Sequence, residues 1–137
     1  MLPEAIRSLI LDELARDPHR FLEGVDVDAY LTKLADRAEV LCDWAAGRCR
    51  GVCAFYCNDE STRQAFITLV LVDPRDRRLG IGRALITCAL DLGRRRGFTS
   101  CRLEAARDND IAREMYVSLG FRVVERRERI DVLEIGL

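Results

Sequence analysis

The chain has 137 residues, 49% of them hydrophobic and 33% charged, and its 22 Lys and Arg against 23 Asp and Glu leave a formal net charge of −1. A chain of this length with no polar break fits one domain spanning 1–137, able to bury roughly two-thirds of its unfolded surface. Near neutrality gives no general attraction to nucleic acid or to an anionic membrane, so neither is expected as a partner.

Residues 4–16 place Ile6, Leu9, Ile10 and Leu14 at helical spacing. Glu4, Arg7, Asp12 and Glu13 leave an apolar run of only Leu9 to Leu11, too short for a signal segment or a membrane span, and the chain reads as cytoplasmic. A second helix is predicted from a cap at Asp26, carrying Val27, Tyr30, Leu31 and Leu34 inward. His19, the only histidine, precedes it with no accompanying motif and is read as a surface residue and not a base. The first 37 residues thus form a helical N-terminal part, distinct from a core over 38–137.

From about Ala38 the period changes to that of strands: AEVLCDW, the turn AAGR, CRGVCAFYC, the polar turn NDESTR, then QAFITLVLV. This predicts an antiparallel three-strand meander. Its last member is almost wholly apolar from Phe66 to Val72, as expected of a central strand covered by helices on both faces. The six cysteines, at 42, 49, 53, 57, 88 and 101, match no zinc-ligand spacing, so reduced, packed thiols and no bound metal are expected. On a strand, Cys49, Cys53 and Cys57 would share one face with Gly51 and Phe55.

Ile81, Leu85, Cys88, Ala89 and Leu92 then follow helical spacing up to Arg94-Arg95-Arg96, and Gly97 is placed to close the helix. Ser100–Ala105 reads as a strand, reached by a right-handed crossover that makes it parallel to the apolar strand. Asn109 or Asp110 caps a short helix bearing Ala112, Met115, Tyr116 and Leu119, closed by Gly120 and Phe121. Two strands over about 122–128 and 130–136 complete a mixed α/β fold, a mostly antiparallel sheet with one parallel pair and helices on both faces.

Between the apolar strand and the long helix stands VDPRDRRLGIGRAL, residues 72–85. A strand entering Arg-x-x-Gly-x-Gly and then a helix presents backbone N–H groups at a positive helix end, a cradle for an anion. Gly80 and Gly82 permit positive φ and close approach to the main chain, while Arg75, Arg77, Arg78 and Arg83, less Asp76, give the segment a local charge of +3. A solvated basic turn is the alternative reading of the same residues. Leu85 stands where a dinucleotide fingerprint wants glycine, and the Gly-Lys-Ser/Thr of a Walker loop is missing.

The stretch resembles the pyrophosphate motif of the GNAT family of N-acetyltransferases, on Val72, Pro74, Arg77, Arg78, Gly80 and Gly82. A second motif of that family, Asn-x-x-Ala-x-x-x-Tyr-x-x-x-Gly-Phe, is matched by Asn109, Ala112, Tyr116, Gly120 and Phe121. The family usually begins with a strand, whereas only helical spacing is found here. The resemblance implies a splayed parallel pair of strands, with the pantetheine arm of acetyl-CoA, the co-substrate, paired to the backbone of Leu71 and Val72. It further implies pyrophosphate on Arg77, Arg78, Leu79, Gly80, Ile81, Gly82 and Arg83, and cofactor contacts from Asn109, Ala112 and Tyr116.

The thioester would then be attacked directly by a primary amine of a small molecule, an amino sugar or a peptide, with no covalent enzyme intermediate. Tyr116 matches the family tyrosine that protonates the departing thiolate, although its apolar stripe also suits a core residue. Glu104, on the crossover strand, is the candidate base, or else the partner of a neighbouring arginine. Asn58 and Asp59 are candidate acceptor contacts. A non-catalytic CoA or acyl-CoA binding module is the alternative; an RNA-binding domain would want exposed aromatics among its basic residues. A monomer or a homodimer suits either reading.

Overall fold

The computed structural model describes residues 1–17 and 26–137, and the prediction for His19 lies outside them. Helices α1 (Glu4–Arg16) and α2 (Val27–Arg37) precede three strands, β1 (Glu39–Ala45), β2 (Arg48–Tyr56) and β3 (Gln64–Val72). A short 3-10 turn at Pro74–Asp76 leads to α3 (Ile81–Arg95), followed by β4 (Ser100–Ala106), α4 (Asp110–Leu119), β5 (Arg122–Arg126) and β6 (Ile130–Gly136). Among the described residues no strand precedes β1, in line with the helical spacing of the sequence.

Local signals set the helix ends where the sequence places them. The Asp26 side chain accepts from the Ala29 N–H and that of Asn109 from the Ala112 N–H, so both act as caps. After α3, Gly97 takes φ +81°, and the Phe98 N–H reaches back to the Gly93 carbonyl. Gly120, at φ +110°, closes α4 in the same manner, with the Phe121 N–H on the Tyr116 carbonyl.

The six strands form one sheet in the order β1-β2-β3-β4-β6-β5, in which only β3 and β4 run parallel. Apolar side chains fill both faces. On one, α3 and α4 bury Ile81, Leu85, Ile86, Leu90 and Tyr116 against Cys53, Phe55, Ile67, Leu103 and Leu133. On the other, Ile6, Leu9, Ile10, Leu31 and Leu34 of α1 and α2 cover Val52, Ala54, Leu69 and Leu71. Each fully buried Leu or Ile contributes about 1.5–3 kcal/mol over its exposed state, which holds α1 and α2 on the sheet.

Two β-bulges break the alternation that the sequence suggests. Between β1 and β2, Asp43 faces Gly51 and Trp44 faces Cys49, so Arg50 is the extra residue. Cys49 therefore turns to the α1–α2 face while Cys53 and Cys57 stay on the α3–α4 face, correcting the expectation that the three share a side. Between β2 and β3, Ala54 faces Leu69 and Phe55 faces Ile67, leaving Thr68 as the extra residue. Ala65 and Ile67 below it pack toward α3 and α4; above it Leu69 and Leu71 pack toward α1 and α2, and Val70 and Val72 take the α3–α4 side.

The parallel pair is short. Its four residue pairs run from Gln64 opposite Ser100 to Ile67 opposite Leu103, after which the strands diverge. At the closed end Gln64 Nε2 donates to Ser100 Oγ at 3.2 Å and to Glu134 Oε1 at 3.0 Å, and Arg102 Nε holds the same Glu134 oxygen at 2.9 Å. The Thr99 N–H adds a bond to the Arg63 carbonyl at 2.8 Å.

Candidate active site

Where β3 and β4 separate, a cleft of about 100 Å³ opens, walled by residues 67–70 and 103–106 and lined by the cap residue Asn109 and by Ala112 and Tyr116 of α4. Its opening coincides with the Thr68 bulge, and the register explains what the cleft offers. The Asp73 N–H bonds to the Arg50 carbonyl, so Asp73, Leu71 and Leu69 turn their backbone groups to β2. The N–H and C=O groups of Val70 and Val72 alternate with these and point to the open edge. The backbone of Leu71, which the sequence pairs with a ligand alongside that of Val72, is instead engaged with β2, because the bulge shifts the alternation by one residue.

Tyr30 of α2 supports the bulge from the opposite face. Its hydroxyl stands 3.3 Å from the Thr68 carbonyl oxygen and 3.0 Å from Thr68 Oγ1, and burial raises its pKa above the ordinary tyrosine value. Nothing in the period of the sequence marked this pair. The one signal available was Thr68 itself, the single polar residue in the run from Ala65 to Val72.

Beyond β3 the chain turns through Arg78, at φ +68°, and Gly80, at φ +78°, into α3. The first intrahelical bond runs from Ala84 to the Gly80 carbonyl, so the N–H groups of Ile81, Gly82 and Arg83 have no helical acceptor. Gly80 has the left-handed backbone expected of it. Gly82 is helical, and an added Cβ would stand in ordinary contact with Val72 at 3.6 Å, Val70 at 3.8 Å and Met115 Sδ at 3.9 Å. These side chains join the helix start to the open strand edge and to α4.

Residues from elsewhere in the fold reach the charges of this segment. Arg48 of β2 grips Asp76 through two bonds of 2.6 and 2.8 Å, and Arg75 holds Asp73 at 2.9 and 3.1 Å. Hydrogen bonds from the Arg75 side chain, opposed by burial and aided by the Arg75 N–H, bring the Asp73 pKa down to about 2. Arg77 stands 3.5 Å from Glu13 of α1. Arg83 bonds to Ser118 Oγ of α4, and among the described residues no acidic partner is found for Arg78 or Arg83. The loop is thus fixed by ion pairs, with Arg78, Arg83 and three N–H groups left to receive an anion.

Tyr116 is nearly buried, with its ring edge-on to Phe121 at a centroid distance of 6.0 Å, and it lines the cleft. Glu104 lines it too, exposed and 3.4 Å from Arg127, the arginine contact that the sequence offers as its alternative. The buried carboxylate of Asp131, on β6 opposite Ala105, ties down α4 and the loop before it through Arg113 at 3.4 Å and Arg107 at 3.6 Å. Asn58 and Asp59 are not brought to the cleft. They lie in the turn before β3, at the closed end, where Asn58 donates to the Arg37 carbonyl and Asp59 accepts from Ser61 and Thr62. No group of three His, Cys, Asp or Glu able to hold a metal ion occurs among the described residues.

A family model described as the acetyltransferase (GNAT) family matches residues 7–121. Among solved structures, Ard1 from Thermoplasma volcanium is 26% identical over all of this chain and 94% of that one, with a TM-score of 0.76. The ribosomal-protein-S18-alanine N-acetyltransferase from Escherichia coli is 24% identical over 80% of this chain and 74% of that one, with a TM-score of 0.69. The PaiA N-acetyltransferase from Thermoplasma acidophilum, solved in complex with coenzyme A, is 17% identical over 100% and 80%, with a TM-score of 0.70. A sequence comparison with curated proteins finds no match.

Proposed function

The chain belongs to the GNAT family of acetyltransferases, and from that premise we propose that it transfers the acetyl group of acetyl-CoA to the primary amine of a peptide or small molecule in the cleft between β3 and β4. The observation that carries this reading is the junction of an open strand edge with the uncapped start of α3. The N–H groups of Ile81, Gly82 and Arg83, with Arg78 and Arg83 beside them, suit a pyrophosphate. The free backbone groups of Val70 and Val72 suit the amides of an extended pantetheine arm, which would complete the sheet as a strand does.

Acetyl-CoA supplies an activated thioester, and the chain supplies orientation, a polarising donor and proton transfer. The first free donor above the last β3–β4 pair is the Val70 N–H, placed to polarise a carbonyl at the cleft apex. Tyr116, on α4 across the cleft, serves as the acid that protonates the departing thiolate. Glu104 accepts the ammonium proton directly or through water, which its exposure allows. Among acceptors, the likeness to an enzyme that acetylates a protein alanine favours a peptide amine.

Incubation with acetyl-CoA and a panel of short peptides with free N-termini, alongside amino sugars and polyamines, tests the reading by mass spectrometry. An acetylated product formed with turnover supports it. Acetyl-CoA binding without transfer to any amine would favour a binding module, and no binding would overturn the reading.

A further inference from the structure

The bulge at Thr68 does more than separate β3 from β4. Below it, odd-numbered residues of β3 face β4; above it, Val70 and Val72 do. Shift the bulge by one residue and the Val70 N–H turns toward β2, removing the donor at the apex. A bulge leaves the extra residue outside the ladder, so its carbonyl needs another partner. That partner comes from α2, in the Tyr30 hydroxyl that meets both the carbonyl and the side chain of Thr68.

We propose that Tyr30 is a positioning residue for acetyl transfer: by bonding Thr68 from the far side of the sheet it fixes the bulge and so aims the Val70 N–H at the acyl carbonyl. The inference rests on the reading of the cleft as the acetyl-transfer site. Tyr30 reaches the bulge through its bonds to Thr68 and does not itself line the cleft. Its hydroxyl is the sole link of this kind between the α1–α2 layer and the bulge among the described residues.

Tyr30→Phe removes the hydroxyl and keeps the ring in its packing. The expected result is a kcat lower by about tenfold, the worth of one well-placed hydrogen bond, with the KM for acetyl-CoA unchanged because the pyrophosphate cradle is untouched. A purely structural contact would lower the melting temperature and leave the chemistry alone. Infrared difference spectra of bound acetyl-CoA labelled with ¹³C at the carbonyl supply a readout that structure alone does not move. The wild type should shift the carbonyl band below its solution frequency, and Tyr30→Phe should shift it less. Thr68→Val, which keeps the bond to the carbonyl, should move the band part of the way that Tyr30→Phe does, Thr68→Ser should keep the wild-type band, and the double variant Tyr30→Phe/Thr68→Val should add nothing to Tyr30→Phe alone. If the wild type lowers the band and Tyr30→Phe lowers it equally with unchanged kcat, the role of Tyr30 is overturned while the cleft stands. If the wild type binds acetyl-CoA without any shift, the reading of the cleft falls and this inference with it.

Discussion

Gly51 connects the sheet to the start of α3 and offers a sharp test of how that start is held. It lies opposite Val72 in β2, and a Cβ added there would stand 2.8 Å from Ile81 Cγ2, 3.3 Å from the Leu71 carbonyl oxygen and 3.3 Å from Leu85 Cδ1. Carbon atoms pack at about 3.5–4.0 Å, so Ile81 has to retreat by roughly 0.7 Å in Gly51→Ala. It cannot do so by rotating, since a β-branched side chain in a helix has one strongly preferred rotamer. The helix start moves instead. Overpacking of this kind costs about 1–3 kcal/mol. With an unfolding entropy of about 2.1 cal/mol/K per residue, the midpoint should fall by roughly 3–10 °C. The same movement carries the N–H groups of Ile81, Gly82 and Arg83, so acetyl-CoA should bind about tenfold more weakly, equivalent to losing one charge-assisted hydrogen bond. Scanning calorimetry and isothermal titration read the two effects. Gly51→Ala/Ile81→Ala, which frees the space, should be less destabilised than the sum of its single changes. A Gly51→Ala protein with wild-type midpoint and affinity would refute the close approach.

Tyr116→Phe should keep the fold, since the ring still meets Phe121, and should lower single-turnover rates by about 10²–10⁴ with acetyl-CoA affinity retained; a wild-type chemical rate would return Tyr116 to a packing role. Gly82→Trp should fill the space between Val70, Val72 and Met115 and abolish acetyl-CoA binding measured by titration calorimetry. Asp73, with its pKa held near about 2, lends stability that is fully present above the unfolded carboxylate value of about 3.9 and is lost as pH falls toward 2. Chemical denaturation should therefore show Asp73→Asn less stable than wild type above pH ~4, with the difference shrinking toward pH ~2.

The elements and both motifs were legible because they rest on local signals: the spacing of Ile81, Leu85 and Leu92, the caps at Asp26 and Asn109, the closing glycines at 97 and 120. The side of the sheet on which Cys49 lies was not, nor was the exchange of Leu71 for Val70 at the open edge, because a bulge inserts one residue without changing the apolar character of the strand around it, and Thr68 alone marks the second. The ion pairing of residues 75–83 was hidden for a different reason. Glu13 and Arg48, which settle it, are distant in sequence and meet the segment only in the fold. Tyr30 was read only as an inward-facing residue of its helix, since its partner lies 38 residues away.

The closed end of the β3–β4 pair has a mechanical consequence. Gln64, Ser100, Glu134 and Arg102 knit the strands together at one end, while at the other they touch through no ladder at all. Such a junction works as a fulcrum. Small rotations of one half-sheet against the other, about the four paired residues, widen or narrow the mouth without breaking a single strand bond, because none crosses there. Bending is soft where rupture would be costly, so the opening can follow the thickness of what enters it while the clamped end keeps the two halves in register.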